Sequence, residues 1–286
     1  MTSSSRGPRP RIRHLAAMWT LRGYPAGGEW SLDEKYRRVK AGGFEGVQGG
    51  IDPTAVRLAQ NHGLQYMGAF DVDSIETAET RLTASKELGL FHINVQLLDH
   101  DTPTEAALPV TLRIMALGKE LGINPHIEVH RDTCTETPEK TLALAQAFER
   151  ETGELLKLNF DYSHPALIKH VQPGQFFEKL PERIDLLQNS DFIDLRPFNS
   201  QHCQIPVTDG HGNLSPEFEG WIPFAEQVFG FWLQKAKPGQ ELWEVPQLGA
   251  ADSGYTISSF PDVWQDEIRA RAEIDKAWQR AVAKWR

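Results

Sequence analysis

The sequence predicts an α/β protein that folds as one (β/α)8 TIM barrel. Eight short apolar runs alternate with eight helical segments along the chain, a pattern typical of parallel strands joined by helical crossovers. The length of 286 residues is one that α/β barrels commonly reach as a single domain. The alternative, an open doubly wound sheet, is disfavoured because no GxGxxG or Walker-type phosphate loop is present.

The predicted strands are short apolar runs of six to eight residues bounded by polar or glycine-containing turns. They lie at residues 14–21, 44–50, 64–70, 91–98, 123–130, 155–161, 191–198 and 241–246. Their regular spacing leaves room for one helical connection after each strand. No internal repeat beyond this period and no linker that would divide the chain is evident.

The predicted helices carry start and stop signals at their ends. Ser31 is placed as an N-cap, and Asp52 precedes Pro53, an N-cap followed by proline at the first helical position. The predicted helices cover residues 31–43, 52–63, 71–89, 102–122, 137–153, 164–171 with 176–187, about 223–237, and 260–285. We expect residues 1–11, which are basic and rich in Ser and Pro, to form a flexible tail before a barrel domain at 12–286.

Composition excludes several classes of protein. The net charge of −9 disfavours general binding to nucleic acid or to anionic membranes. No 18-residue apolar window is present, and the first residues lack the apolar run of a secretory signal. The two cysteines, Cys134 and Cys203, cannot form a disulfide framework, which fits a reducing compartment and a cytoplasmic location.

Candidate metal-ligating and catalytic side chains fall where predicted strands end. Glu128 and His130 end the fifth run, Asp161 ends the sixth, His164 lies in the turn after it, and Glu244 ends the eighth. The carboxyl ends of barrel strands form the face on which active sites are built. Carboxylates and imidazoles together suit Mg²⁺, Mn²⁺, Co²⁺ or Zn²⁺, so the sequence predicts a divalent-metal site at this rim.

At these residues the sequence resembles the xylose-isomerase-like TIM-barrel superfamily, which contains sugar isomerases and epimerases, hydroxypyruvate isomerase and class II apurinic endonucleases. The resemblance rests on Glu128 in IEVH, Asp161 and His164 in DYSH, and Glu244 in LWEVP. The 33-residue gap between Glu128 and Asp161 favours the isomerase and epimerase branch. It implies one divalent ion, held by Glu128, Asp161, Glu244 and a histidine from the seventh strand.

The seventh run departs from this pattern. It offers Asp194 and Arg196 within the strand, and the first histidine is His202, with His211 further along. We expect His202 to be the fourth ligand and keep His211 as the alternative.

The resemblance further implies a sugar isomerase or epimerase that acts on a small ketose, aldose or keto-sugar through an enediolate. Glu128 and Glu244 are then the expected acid–base pair. His130, His164, Arg196 and Trp19 are expected to contact the substrate.

Other functions remain open. A metal-dependent lyase acting on a keto-sugar or glycoside derivative would begin with the same enediolate, and a barrel could bind sugar without turnover. An endonuclease is disfavoured because the chain is acidic and lacks interleaved basic and aromatic residues. The expected partner is a small carbohydrate, with neither nucleic acid nor membrane, and a homo-oligomer is possible.

Overall fold

The computed structural model describes residues 7–180 and 183–286, apart from the side chain of Ala251. Eight strands alternate with helices along this part of the chain. The strands are β1 (Arg11–Ala17), β2 (Gly46–Gly49), β3 (Gln65–Val72), β4 (His92–Leu97), β5 (Asn124–Val129), β6 (Leu158–Phe160), β7 (Phe192–Asp194) and β8 (Glu241–Val245). Every predicted strand is therefore present, although β6 and β7 are shorter than their apolar runs.

The helices follow the strands and carry the expected caps. They are α1 (Leu32–Ala41), α2 (Pro53–Asn61), α3 (Ile75–Glu87), α4 (Thr104–Leu121), α5 (Pro138–Thr152), α6 (Ser163–Ile168), α7 (Phe176–Lys179), α8 (Ile184–Gln188), α9 (Pro216–Leu233) and α10 (Val263–Ala283). The side chains of Ser31 and Asp52 accept hydrogen bonds from the first turns of α1 and α2. Within the described ranges, no helix is both long and apolar enough to cross a membrane.

All strand pairs are parallel, and the sheet order is β6-β5-β4-β3-β2-β1-β8-β7. The pairing of β1 with β8 joins the first strand to the last. A single parallel bridge between Asp161 and Asp194 joins the edges of β6 and β7. The sheet is thus a nearly closed barrel, which confirms the predicted fold class.

Alternating residues on each strand pack inside and outside the barrel. The interior contains a small apolar cluster of Leu15, Ala17, Met67, Phe192, Trp243 and Val245, with Trp19 packed against it. The larger core lies between the outer face of the strands and the surrounding helices. This alternation determines which polar residues can reach the interior.

Among the predicted boundaries that differ from the structure are the start of α9 and the end of the N-terminal tail. Helix α9 begins at Pro216 rather than near Pro223, because the Ser215 side chain accepts from the Phe218 amide and Pro216 occupies the first turn. Pro223 lies inside this helix. Of the predicted tail, residues 1–6 lie outside the described part of the chain. Pro8 accepts a backbone hydrogen bond from Gly239, and β1 already begins at Arg11.

Candidate active site

A cluster of buried polar side chains lies inside the barrel at the carboxyl ends of its strands. Its members are at most 5% exposed: Gln48, Asn94, Glu128, Asn159, Asp161, Asp194, Arg196 and Gln247. We call these eight residues the interior polar cluster. It contains three carboxyl groups and one guanidinium. Its chemistry therefore depends on which of the carboxyl groups are protonated.

Asp161 and Arg196 form the charged centre of the cluster. Arg196 Nη1 lies 2.8 Å from Asp161 Oδ2, and both side chains are almost completely buried. The other carboxylate oxygen accepts hydrogen bonds from the amide and hydroxyl of Ser163, at 3.0 and 2.6 Å. Although burial opposes charge, Arg196 and the hydrogen bonds hold the pKa of Asp161 well below its usual range. Asp161 is therefore an anion at neutral pH.

Amide groups surround Asp194. Asn159 Nδ2 and Gln247 Nε2 donate to Asp194 Oδ2 at 2.8 and 2.7 Å, and Gln48 Nε2 donates to the other oxygen at 3.4 Å. Burial raises the pKa of Asp194 well above its usual value, and the carboxylates of Glu128 and Asp161 raise it further. Asp194 can therefore hold a proton under conditions in which Asp161 is ionised.

One carboxyl oxygen of Glu128 has no hydrogen-bond partner among the described residues, as is also true of Asp161 Oδ2, which however forms the ion pair with Arg196. Asn94 Nδ2 donates to Glu128 Oε2 at 2.7 Å, whereas Oε1 is buried without a hydrogen-bond partner among the described residues. Burial raises the pKa of Glu128, and the negative charge of Asp161 adds to the effect. Because buried oxygens rarely stay unpaired without a functional reason, Oε1 is a candidate atom for contact with a substrate.

Two neutral histidines adjoin the charged pair. The rings of His130 and His164 are 4.0 Å apart, and burial lowers the pKa of each to about 4. His164 Nε2 lies 3.2 Å from Arg196 Nη1 and 3.2 Å from Asp161 Oδ2, so it accepts from the guanidinium in one tautomer and donates to the carboxylate in the other. Nδ1 of His164 is buried without a hydrogen-bond partner in the described ranges.

Aromatic rings cover the cluster on the side of the barrel mouth. The Arg196 guanidinium carbon lies 4.4 Å from the ring centre of Tyr255 and 5.5 Å from that of Trp19, and the two rings meet edge to face. A cavity of about 650 Å³ lies beside them, and its lining includes Thr20 and Thr256, their neighbours in sequence.

The structure brings together most of the predicted site residues. Glu128, Asp161, His130, His164, Arg196 and Trp19 belong to the cluster or touch it. Two predicted ligands, Glu244 and His202, do not join them.

Glu244 faces the helices rather than the barrel interior. Its neighbours Trp243 and Val245 belong to the interior cluster, so Glu244 points to the opposite side of β8. Its Oε2 lies 2.7 Å from Nδ1 of His14, whose other nitrogen is 3.4 Å from Asp275 of α10. The roles predicted for Glu244 in metal binding and proton transfer therefore need correction, because the residue belongs to the strand–helix interface.

His202 is exposed and lies in the loop after β7. Its amide and its Nδ1 both contact Asn199 Oδ1, at 2.8 and 3.1 Å. The alternative, His211, is also exposed. In the described part of the chain, neither histidine is hydrogen-bonded to the interior polar cluster; their contacts are with Asn199 and Asp209.

The predicted divalent ion consequently lacks an assembled set of ligands. Across residues 7–180 and 183–286, no group of three or more His, Cys, Asp or Glu side chains is arranged to hold a metal. Of the four expected ligands only Glu128 and Asp161 are in the cluster, and Asp161 is already paired with a guanidinium. The residues present do not fit the metal centre that the resemblance implied.

Sequence reasoning gave no role to Asp194, Gln247, Asn159 or Asn94. Gln247 has φ of 54°, a left-handed conformation that costs a non-glycine residue roughly 1 kcal/mol or more. Its backbone oxygen accepts from Arg196 Nε at 2.9 Å, and its side chain contacts both Arg196 and Asp194. These contacts hold the strained residue in place. Because side chains alternate along a strand, Gln247, four residues after the inward-facing Trp243, could have been predicted to face the barrel interior.

No protein family and no curated protein sequence matches the chain, but solved structures resemble it over nearly its whole length. A D-allulose 3-epimerase from Methylomonas sp. is 13% identical, with a TM-score of 0.58 over 96% of this chain and 99% of the other. The probable 3-DHS dehydratase AsbF from Bacillus anthracis is 15% identical, with a TM-score of 0.56 over 92% and 97%.

A xylose isomerase-like TIM barrel protein from Mycobacterium smegmatis, in complex with magnesium, is 14% identical, with a TM-score of 0.52 over 97% and 100%. At these identities the likeness establishes the fold. The chain shares its (β/α)8 barrel fold with these proteins.

Proposed function

We propose that the chain is an isomerase or epimerase that moves a proton next to the carbonyl group of a small polyhydroxylated substrate. The observation that carries this proposal is the unpaired Oε1 of Glu128, buried beside an ion pair at the catalytic face of the barrel. Two further observations support it. The amides of the interior polar cluster suit hydroxyl groups, and a D-allulose 3-epimerase has the same fold.

Glu128 is the proposed acid and base. As a carboxylate, Oε1 takes the proton from the carbon next to the substrate carbonyl. The electron pair of that C–H bond becomes the double bond of an enediolate, and negative charge moves to the carbonyl oxygen. Glu128 then returns the proton to the neighbouring carbon on the same face, which gives the isomer. An epimer requires a proton delivered to the opposite face, and Asp194, whose pKa is raised, is the proposed donor for it. A raised pKa suits the role of Glu128 because the group must both accept and release a proton near neutral pH.

The remaining residues bind and orient the substrate. Asp194, which holds a proton more readily than a free carboxyl group, can donate to a substrate oxygen. His164 Nδ1, which has no hydrogen-bond partner among the described residues, can contact a substrate hydroxyl group as donor or as acceptor. Trp19 and Tyr255 supply apolar surface for the C–H face of a sugar and exclude water once the substrate is bound.

A lyase is the second candidate, because a probable dehydratase shares the fold. It would form the same enediolate and then expel a group from the next carbon. The proton of Asp194 could then pass to the leaving oxygen. Products, rather than the first step, distinguish the two reactions.

The test is incubation of the protein with a panel of ketoses, aldoses and keto-sugars in D₂O, followed by NMR. Isomerase or epimerase activity gives deuterium at the carbon next to the carbonyl and an unchanged carbon skeleton, whereas a lyase gives an unsaturated or deoxygenated product. Glu128→Gln should remove exchange by at least about 10³-fold, and Glu226→Gln, on the outer surface of α9, is the matched control. Absence of exchange with every substrate would overturn the proposal and favour a barrel that binds sugar without turnover.

A further inference from the structure

The Arg196 guanidinium is the cation of the interior polar cluster. It is 1% exposed and lies within 3.2 Å of Asp161, Ser163 and His164. Its Nε donates to the backbone oxygen of Gln247. A permanent positive charge is therefore fixed among three carboxyl groups.

The same arrangement leaves too few ligands for a metal ion. The inward side chains of β7 and its continuation are Asp194 and Arg196, with no histidine. The inward residue after β8 is Gln247, an amide that already bridges Arg196 and Asp194. Arg196 also lies on Asp161, so a divalent ion there would face a neighbouring positive charge and have one carboxylate fewer.

We propose that Arg196 takes the place of the metal ion in this chain, so that the proton transfer proceeds without any divalent cation. This inference rests on the proposed function for its chemical role. When Glu128 removes the proton, charge develops on the substrate oxygen, and the guanidinium stabilises that oxyanion by a charge-assisted hydrogen bond. No oxidant or further reactant is needed, because the protons and the electron pair stay within the substrate, Glu128 and Asp194.

The guanidinium has a donor to spare for this task. Its Nε and one N–H of Nη2 donate to Gln247, and the two N–H groups of Nη1 face Asp161, Ser163 and His164. The remaining N–H is on Nη2. The contact with Asp161 fixes the orientation of the guanidinium. The free N–H on Nη2 is therefore pre-organised to donate.

The first test is metal binding by the wild-type chain, which does not depend on knowing the substrate. After purification with EDTA and removal of the chelator, the protein is titrated with Mn²⁺ at pH 7.5, and bound metal is counted by equilibrium dialysis. We expect less than about 0.1 Mn²⁺ per chain at 100 μM free metal, where a site with a Kd of 10 μM would be about nine-tenths filled. One tightly bound Mn²⁺ per chain, lost in Glu128→Gln, would overturn the inference.

The second test uses deuterium exchange with a substrate found in the panel. Exchange by the wild-type chain should change less than twofold between 1 mM EDTA and 1 mM Mn²⁺. Arg196→Lys, which keeps the charge but loses the planar donors, should reduce exchange by about 10²–10³-fold. Arg113→Gln, which removes a partly exposed arginine paired with Glu79 and Glu120, is the matched control and should exchange at the wild-type rate.

The outcomes separate the two proposals. Exchange that requires added Mn²⁺ would support the isomerase and refute the role of Arg196. Failure to exchange any substrate, with no Mn²⁺ bound, would refute the isomerase and leave the metal-free cluster in place. Because the wild-type measurements need no variant, they stand even if Arg196→Lys is poorly folded.

Discussion

Replacing Arg196 with Gln should strongly destabilise the protein. The substitution leaves Asp161 buried without a counter-charge, while Asp194 and Glu128 remain close by. Both members of the pair are almost fully buried, so solvent does not screen their interaction and the energetic cost of breaking it is not reduced. Breaking such a pair from one side costs about 3–5 kcal/mol. At about 2.1 cal/mol/K per residue, 286 residues give an unfolding entropy of about 0.6 kcal/mol/K, which corresponds to a fall in Tm of about 5–8 °C.

The effect should depend on pH in a defined direction. The pKa of Asp161 is lowered in the folded wild-type protein, so the pair contributes stability above the unfolded value of about 3.9 and loses it as the pH falls through the folded value. Without Arg196, burial raises the pKa of Asp161. The stability deficit of the variant should therefore be largest near neutral pH and shrink toward pH 4.

The assay is urea unfolding of four proteins: wild type, Arg196→Gln, Asp161→Asn and the double variant, at pH 7.5 and at pH 4.5. The cycle should give a coupling energy of at least about 2 kcal/mol at pH 7.5, because the double variant no longer buries an unpaired charge. Arg113→Gln should change stability by less than about 1 kcal/mol. Additive single effects, or a deficit that grows toward low pH, would refute the ion pair as the centre of the site.

The remaining predictions concern residues around the cluster. Burial lowers the pKa of His14, but hydrogen bonds to Asp275 and Glu244 outweigh this and raise it to about 9. The resulting stability, on the order of 3 kcal/mol, should be present below pH 6.5 and be lost as the pH rises through about 9, and His14→Gln should flatten this profile in urea unfolding. Glu244→Gln should lower Tm yet leave deuterium exchange within a few-fold of wild type, whereas a loss comparable to that of Glu128→Gln would return Glu244 to the catalytic site. His202→Ala should change the free energy of unfolding by less than about 0.5 kcal/mol and leave Mn²⁺ binding unchanged. Tyr255→Ala should raise the substrate KM more than it lowers kcat, and the opposite pattern would place Tyr255 in the chemistry rather than over the entrance.

The sequence predicted the fold because its signals are local and repeated. Apolar runs, N-caps such as Ser31 and Asp52, and turn residues recur in each unit, and eight such units leave few architectures. The start of α9 was predicted too late, because Pro223 appeared to mark an end of the loop. Ser215 and Pro216 carry the true start signal.

Part of the site could also be predicted from the sequence. Glu128, Asp161 and His164 follow apolar strands at the right edge, and parallel strands bring such residues together. Glu244 was misplaced because β8 is buried on both faces, so the alternation of apolar and polar residues that would give its direction is weak. His202 was placed at the rim by its proximity in sequence to β7, but its hydrogen bonds are with Asn199 rather than with the interior polar cluster.

The replacement of a metal by a guanidinium could not be predicted from spacing. It depends on which inward position of β7 holds a cation and on how Gln247 closes around it. Such contacts join residues that are 51 positions apart in sequence, and no local pattern encodes them. The seventh run nevertheless contained the signal, since Arg196 stood in the strand where a histidine was expected.

The most direct test of the account is a crystal structure of the wild-type protein soaked in Mn²⁺, with anomalous data collected to locate the metal. We predict no anomalous peak within bonding distance of Glu128 or Asp161, and an Arg196 guanidinium still in contact with Asp161. An ordered Mn²⁺ bound by Glu128 and Asp161, with Arg196 displaced, would contradict the account.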